Sequence, residues 1–133
     1  MHPKPKKSLG QNFLIDENII NLIVEVGDVK NNDIVIEVGP GTGNLTEKII
    51  LKKPKKLILI EKDKTLVEKL NSRFKENITL LNKDILKVEE EEFKNDKMIF
   101  FGNLPYNISS QLLVKWIRKH NLNSICKKMI LMF

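Results

Sequence analysis

Short apolar runs without polar alternation are the feature that most constrains how this chain folds. Runs of four or five residues rich in isoleucine are typical of strands that are buried on both faces, as in a parallel sheet. We therefore expect strands at residues 34–38, 57–60, 78–81 and 98–101, with a fifth at 129–133.

Helical patterns separate the apolar runs. Asp16, Asp63 and Ser109 each precede apolar residues at helical spacing, so each is a predicted N-cap. A shorter helix is expected to begin near Asn44 and to end before Pro54. The predicted core faces are Ile19, Ile20, Ile23 and Val24 in the first helix, Leu66, Val67, Leu70 and Phe74 in the third, and Leu112, Leu113, Trp116 and Ile117 in the fourth.

The alternation of strands and helices predicts the fold class. Strand–helix–strand units connect parallel strands by right-handed crossovers. The predicted fold class is therefore α/β, with a Rossmann-like, doubly wound and mainly parallel sheet that has helices on both faces. The length of 133 residues suits one such domain. Ligands bind these sheets beyond the carboxyl ends of the strands, at the point where the strand order reverses.

The charge of the chain favours a polyanionic partner. The net charge is +6 and the pI is about 9.4, which makes the surface attractive to nucleic acid without proving that it binds one. Much of the excess lies in two clusters, Lys4, Lys6 and Lys7 near the N-terminus and Lys52, Lys53, Lys55 and Lys56 further along.

The cysteine and histidine residues favour neither a disulfide nor a metal site. Cys126 is the only cysteine, so no intramolecular disulfide can form, and we expect this side chain to be a small buried hydrophobe. His2 and His120 lack neighbours at ligand spacing, so we expect no bound metal. Because no stretch is apolar enough to span a bilayer and no signal-peptide core begins the chain, we expect a cytoplasmic protein without a membrane partner.

A glycine-rich turn follows the first predicted strand at residues 39–43, Gly-Pro-Gly-Thr-Gly. Glycines let the backbone turn sharply and let a ligand approach closely at a helix start. An ordinary tight turn between strand and helix is the alternative. The G-x-G-x-G spacing differs from the G-x-G-x-x-G of dinucleotide-binding enzymes.

Carboxylates stand in or after three of the predicted strands. Glu61 ends the second, about twenty residues beyond the first glycine, where Rossmann-type folds place a carboxylate on ribose hydroxyls. Asp84 ends the third and is placed to accept from an adenine amine, although alone it is equally a loop residue or a helix cap. Glu37, within the first strand, is interpreted as a satisfied strand carboxylate.

The most specific signal is the segment Asn103, Leu104, Pro105 and Tyr106 after the fourth strand. The exocyclic amine of adenine is a poor nucleophile because its lone pair is delocalised into the ring. The Asn103 side-chain carbonyl and a backbone carbonyl near Leu104 would accept hydrogen bonds from the two amine protons. These bonds would favour the pyramidal form of the amine, which is the form that attacks. Pro105 would stiffen the turn, and Tyr106 would stack on an extruded base.

Together these motifs resemble the ribosomal RNA adenine dimethyltransferase family, and within it the small-subunit enzymes linked to kasugamycin sensitivity. The resemblance rests on segments 11–14, 37–43, 60–61, 83–84 and 102–109, which occur in the family's order. It implies a class I methyltransferase fold and S-adenosylmethionine as the methyl donor. The implied reaction is transfer of two methyl groups to each of two adjacent adenosines near the end of small-subunit RNA.

The resemblance also implies roles for individual residues. Asn103 through Tyr106 would form the target-amine site, and no metal is required. The implied partner is small-subunit rRNA or a small ribosomal subunit precursor, and we expect a monomer. The residues implied to contact S-adenosylmethionine are Asn12, Leu14, Gly39, Glu61, Asp84 and Asn103, with Gln11 and Gly41 beside them.

The chain departs from the family pattern at its end. Family members continue through two more strands and a small helical domain that grips RNA. The last predicted strand here ends at Phe133 without a turn or polar tail, which leaves a hydrophobic edge. We therefore expect residues 1–133 to be an incomplete methyltransferase domain, truncated after the fifth strand.

Four other functions remain open. A large-subunit rRNA adenine dimethylase of the macrolide-resistance type shares the Asn-x-Pro-Tyr-Asn pattern, and a DNA adenine methylase uses a similar motif. The segment at 39–41 resembles the small-subunit branch more closely than the large-subunit dimethylase, and the segment at 11–14 matches the RNA family better than the DNA methylases. A non-catalytic RNA-binding or assembly factor would keep the fold, although the motif residues are intact. A nicotinamide dehydrogenase is disfavoured by the glycine spacing.

Overall fold

A single parallel sheet organises the chain. The computed structural model describes residues 16–88, 98–119 and 126–132, with the backbone alone at 116–119. Its five strands lie in the order β3-β2-β1-β4-β5, and every neighbouring pair is parallel. This confirms the predicted doubly wound α/β fold. The strands are β1 (Ile34–Val38), β2 (Lys56–Ile60), β3 (Thr79–Leu81), β4 (Met98–Asn103) and β5 (Cys126–Met132).

The described residues form four α-helices, of which the first precedes β1 and the other three connect strands of this sheet. The four helices are α1 (Glu17–Gly27), α2 (Asn44–Leu51), α3 (Lys64–Phe74) and α4 (Tyr106–Lys119), and short 3₁₀ turns follow α3 and β3. Strands β1 to β4 match the predicted runs to within two residues. The fifth strand begins at Cys126, three residues before the predicted start at Met129, and Phe133 lies outside the described residues.

The caps of α1 and α3 confirm the sequence prediction. The Asp16 carboxylate accepts hydrogen bonds from the backbone N–H groups of Asn18 and Ile19, at 2.9 and 3.3 Å. The Asp63 carboxylate accepts in the same way from Thr65 and Leu66, at 2.8 and 3.2 Å. Each aspartate therefore satisfies two donors that have no partner inside the helix.

The predicted cap of α4 is wrong. The helix begins at Tyr106, three residues before Ser109. The carbonyl of Pro105 accepts from the N–H groups of Ile108 and Ser109, at 3.0 and 3.1 Å, so the proline forms the start of the helix. Ser109 is fully buried within the first turn, and its hydroxyl has no hydrogen-bond partner among the described residues.

Alternate residues of each central strand belong to two cores on opposite faces of the sheet. One core joins Val35 and Leu59 to α1, α2 and α3, and the other joins Ile36 and Ile60 to α4 and the 3₁₀ turn after β3. Both faces are covered, as the apolar runs predict. Ile19 does not join the α1 face, because its side chain is 49% exposed, and Val67 is only half-buried.

The order of the strands places a switch point between β1 and β4. The chain leaves β1 through α2 toward β2 and β3, and then returns to β4 on the other side of β1. Helices α2 and α4 therefore leave neighbouring strands toward opposite faces, which opens a crevice beyond the strand ends. In the described part of the chain, no helix combines the length and apolar character needed to cross a membrane.

The close packing of α1 on β4 provides a test of the fold. A Cβ atom added to Gly27 would overlap the buried ring of Phe101. Gly27→Ala is expected to lower the free energy of unfolding by about 1–3 kcal/mol, because an overpacked core must shift. Chemical denaturation measures the change. Val26→Ala at the exposed neighbouring position is the control, and equal stability of both variants would contradict this packing.

Candidate functional site

Two loops meet at the switch point of the sheet. The glycine loop, residues 39–43, follows β1, and residues 103–106 run from the last residue of β4, the strand paired with β1, to the first residue of α4. A Cβ atom at Gly39 would lie 2.7 Å from the backbone carbonyl oxygen of Asn103 and 3.1 Å from Cδ2 of Leu104. The structure therefore brings together the two segments that the sequence marked as cofactor site and target site.

The conformation of the glycine loop requires glycine. Gly39, Gly41 and Gly43 have φ values of +69°, +60° and +96°, in the region that residues with a Cβ rarely adopt. The N–H of Gly39 donates to the carbonyl of Ile60 at 3.0 Å, which fixes the loop to the end of β2. At Gly43 a Cβ would also meet the ring of Phe74 at 2.5 Å.

An arginine that the sequence analysis missed braces the same loop. Arg73, near the end of α3, donates from Nη1 to the carbonyl of Thr42 at 2.7 Å and from Nη2 to Glu47 at 2.9 Å. Its guanidinium group also lies over the Phe74 ring, 4.9 Å from the centroid. Arg73 and Thr42 are 31 residues apart, so no local pattern in the sequence indicates this contact.

Glu37 lies inside the protein beneath the glycine loop. Its side chain is fully buried in β1 and accepts a 2.5 Å hydrogen bond from the Thr46 hydroxyl in α2. It is thus a satisfied strand carboxylate, as the sequence suggested. Burial raises the pKa of Glu37 to about 7; the Thr46 hydrogen bond opposes this rise, and the neighbouring Glu61 carboxylate adds to it.

Glu61 joins the glycine loop to the segment after β2. Its buried carboxylate accepts from the N–H of Asp63 at 2.9 Å, and the backbone N–H groups of Gly41 and Lys62 also hydrogen-bond to it. Burial raises the pKa of Glu61, and these backbone donors oppose the rise. The Asn82 amide holds the same segment, because its Nδ2 donates to the carbonyls of Glu61 and Lys62 at 3.0 and 3.1 Å.

Asp84 stands beyond the end of β3, on the same rim as Glu61. One carboxylate oxygen accepts from the N–H of Leu86 at 3.0 Å and caps the following 3₁₀ turn. The other lies 3.9 Å from Nζ of Lys62. The capping role that the sequence left open is therefore present, and it fixes the carboxylate within the rim.

The segment from Asn103 to Tyr106 connects β4 to α4. Asn103 ends the strand opposite Met132 of β5, and it is half-buried together with Leu104 and Pro105. The Tyr106 side chain is 71% exposed, so most of its ring surface faces solvent at the start of α4. The other predicted contacts, Gln11, Asn12 and Leu14, lie outside the described residues.

Comparisons with known proteins identify the family. The family model described as ribosomal RNA adenine dimethylase matches residues 2–133. The chain belongs to this family.

The relatives and solved structures agree with this assignment. The chain is 49% identical, over its whole length, to ribosomal RNA small subunit methyltransferase A of Pelagibacter ubique, and it covers 50% of that protein. A dimethyladenosine transferase from Plasmodium falciparum has a TM-score of 0.77 at 31% identity, over 92% of this chain and 43% of the other. The 23S rRNA methyltransferase ErmE has a TM-score of 0.75 at 28% identity, over 92% and 48%.

This dimethylase-family chain spans about half the length of the curated relatives it matches. The matched half contains the glycine loop, the rim carboxylates and the segment after β4. Among the described residues, no group of three or more histidine, cysteine or carboxylate side chains is arranged to hold a metal ion.

The buried Glu37 provides a test by pH. An acid whose pKa is raised on folding, here from 4.5 to about 7, stabilises the fold fully below pH 4.5 and loses this contribution as the pH rises toward 7. The loss is on the order of 3 kcal/mol. In Glu37→Gln this part of the pH dependence should disappear, as measured by denaturation between pH 4 and 8. The exposed Glu68→Gln should keep the wild-type profile, and an unchanged profile in Glu37→Gln would contradict the assignment.

Proposed function

We propose that the protein transfers methyl groups from S-adenosylmethionine to the exocyclic amines of two adjacent adenosines in small-subunit rRNA. The observation that carries the proposal is the contact of Gly39 with the backbone of Asn103 at the switch point. This contact brings the glycine loop, proposed to bind the methyl donor, next to residues 103–106, proposed to bind the adenine. The curated relatives, at 40–49% identity, are named small-subunit rRNA methyltransferases, which supports the small subunit as the target.

The residues of this site fit the methyl donor. The positive φ values and the absence of side chains at Gly39 and Gly41 leave the loop backbone open to close approach by a ligand at the start of α2. Glu61 and Asp84 at the ends of β2 and β3 supply acceptors for ribose hydroxyls and an adenine amine. When bound, S-adenosylmethionine supplies an electrophilic methyl group on a sulfonium sulfur. By resemblance, Gln11, Asn12 and Leu14 complete the site.

Residues 103–106 bind the adenine that receives the methyl group and hold its amine in a reactive orientation. The Asn103 side-chain carbonyl and a backbone carbonyl near Leu104 accept from the amine protons and favour its pyramidal form. Tyr106 stacks on the extruded base. Displacement at a methyl group needs no nucleophilic side chain, because alignment and electrostatics supply most of the rate enhancement. The amine nitrogen would bond to the methyl carbon as the carbon–sulfur bond breaks and the neutral thioether leaves, and the proton that the amine loses would pass to water.

Residues 1–133 are then an incomplete S-adenosylmethionine-binding domain that contains the first five strands. We propose that the protein acts as a monomer in the cytoplasm on a small ribosomal subunit precursor. The basic surface, with a net charge of +6, suits such an RNA partner.

A large-subunit target is the second candidate. The similarity to ErmE, a 23S rRNA methyltransferase, favours it. Incubating the full-length protein with labelled S-adenosylmethionine and each purified subunit, and then mapping the methylated bases, separates the two. Label in small-subunit RNA supports the proposal, and label confined to large-subunit RNA replaces it with the second candidate.

The role proposed for Glu61 predicts a loss of cofactor affinity. Glu61→Gln keeps the shape but removes the charge, so one ribose hydroxyl loses a charge-assisted acceptor. Affinity for S-adenosylmethionine should fall about tenfold or more, as measured by calorimetry. Glu68→Gln on the exposed face of α3 should bind as wild type. An unchanged affinity in Glu61→Gln would remove the assignment.

The role proposed for Asn103 predicts a loss of turnover. Asn103→Ala removes one acceptor for the amine, so kcat should fall by about a hundredfold, while S-adenosylmethionine affinity changes much less. Single-turnover methylation of small-subunit RNA measures the rate, and calorimetry measures the affinity. Asn71→Ala, at an exposed position in α3, controls for nonspecific effects. A wild-type rate in Asn103→Ala would contradict the role.

A further inference from the structure

A basic cleft lies at the amino end of β2, whereas the candidate site lies at the carboxyl ends of the strands. The cleft has a volume of about 410 Å³, and its walls include Lys53, Lys55 and Lys56 together with Leu51, Pro54 and Asn77. We propose that this surface, called here the lysine cleft, binds the phosphate backbone of an RNA element other than the one that carries the target adenosines. The inference rests on the proposed function, since it assumes an RNA substrate.

The position of the lysine cleft separates it from the chemistry. Lys56 is the first residue of β2, and Ile60 is the last, where its carbonyl accepts from the glycine loop. Four residue steps of a strand span roughly 13 Å, so the cleft and the glycine loop lie at opposite ends of the same strand. A phosphate bound at the cleft therefore lies at the amino end of β2, away from the strand ends that hold the reacting base, and it does not belong to the nucleotide that reacts.

The charge of the lysine cleft is not balanced by ion pairs within the described residues. The ion pairs found there involve Lys30, Lys48, Lys62, Arg73 and Lys127. Within residues 16–88, 98–119 and 126–132, neither the three cleft lysines nor the adjacent Lys52 take part in an ion pair. All four are exposed. Uncompensated cations at a cleft produce a local positive potential that attracts polyanions.

Stabilisation of the helix end accounts for only part of this cluster. Lys52 caps α2, and Lys53 follows it, so both favourably face the negative end of the helix dipole. Lys55 and Lys56 come after Pro54, beyond the end of the helix, where the helix dipole contributes little to stabilising a cation. Their charge serves no partner in the described part of the fold.

The backbone beneath the lysines is fixed. Lys53 has a φ of +52°, and its N–H donates to Ile50 at 2.9 Å. The N–H of Lys55 donates to the carbonyl of Asp33 at 2.8 Å, and Lys56 pairs in register with Ile34. The cations therefore extend from an ordered platform. Lysine contacts to phosphate carry no base specificity, so the ligand is RNA backbone and not a particular sequence.

The test compares two double variants of the full-length protein. Lys55→Gln with Lys56→Gln removes two charges from the cleft, and Lys64→Gln with Lys69→Gln removes two exposed charges from α3. Binding to small ribosomal subunits is measured across a range of salt concentrations. Methylation of a short hairpin with two adjacent adenosines, and calorimetric binding of S-adenosylmethionine, are measured in parallel.

The cleft variant should bind subunits about tenfold more weakly at physiological salt, with a log–log salt slope reduced by about one to two. Its hairpin methylation and cofactor affinity should equal those of wild type, and the α3 variant should match wild type throughout. Subunit binding and salt slope equal to wild type in the cleft variant would overturn the proposal. Equal weakening in both variants would also overturn it, because it would indicate a general charge effect.

Cross-linking of the wild-type protein to subunits gives an independent readout. A peptide containing residues 52–56 linked to RNA supports the inference, and one linked instead to a ribosomal protein overturns it. A failure of the proposed function would give a different result from a failure of the lysine-cleft proposal. In that case the wild-type protein would methylate neither the subunits nor the hairpin, whatever the lysine cleft binds.

Discussion

The approach of the Gly39 backbone to the Asn103 carbonyl is the constraint on which the rest of the site depends. Strands β1 and β4 pair in parallel, so their carboxyl ends lie side by side, and the loops that follow have room to meet only if one lacks a side chain. Because α2 and α4 then depart toward opposite faces, the crevice between the loops stays open. A site that joins a donor to an acceptor base requires this proximity.

Buried polar groups hold the loops in place. The Glu37–Thr46 pair ties β1 to α2, while Glu61 ties the end of β2 to Gly41. Arg73 reaches the carbonyl of Thr42 from α3. Burial of the two carboxylates raises the pKa of each, so holding their charged forms inside the fold costs stability, as is common at sites of positioned chemistry. Preorganisation of this kind is what methyl transfer between two aligned partners needs.

The two ends of the sheet present different chemistry. The carboxyl ends of the strands carry carboxylates, amides and the exposed ring of Tyr106. The amino end of β2 carries lysines that have no ion-pair partners among the described residues. The first arrangement suits a cofactor and a single base, and the second suits a phosphate chain. Under the proposed function both would serve, since contacts distant from the reacting base would orient a large RNA without taking part in the reaction.

Local sequence patterns are enough to predict the strand runs, the Asp16 and Asp63 caps, the glycine turn and the segment after β4, because each depends on neighbouring residues. Periodicity, capping and glycine spacing act within a few positions of the chain. The sequence patterns failed at Ser109, where the Pro105 carbonyl begins the helix earlier, and at Ile19, which has helical spacing with the buried residues of α1 but is itself exposed. Only the tertiary structure decided that Arg73 braces the glycine loop, that Asn82 holds the segment after β2, and that Gly39 touches Asn103. Those contacts join residues far apart in the chain, and they arise only when parallel strands bring their ends together.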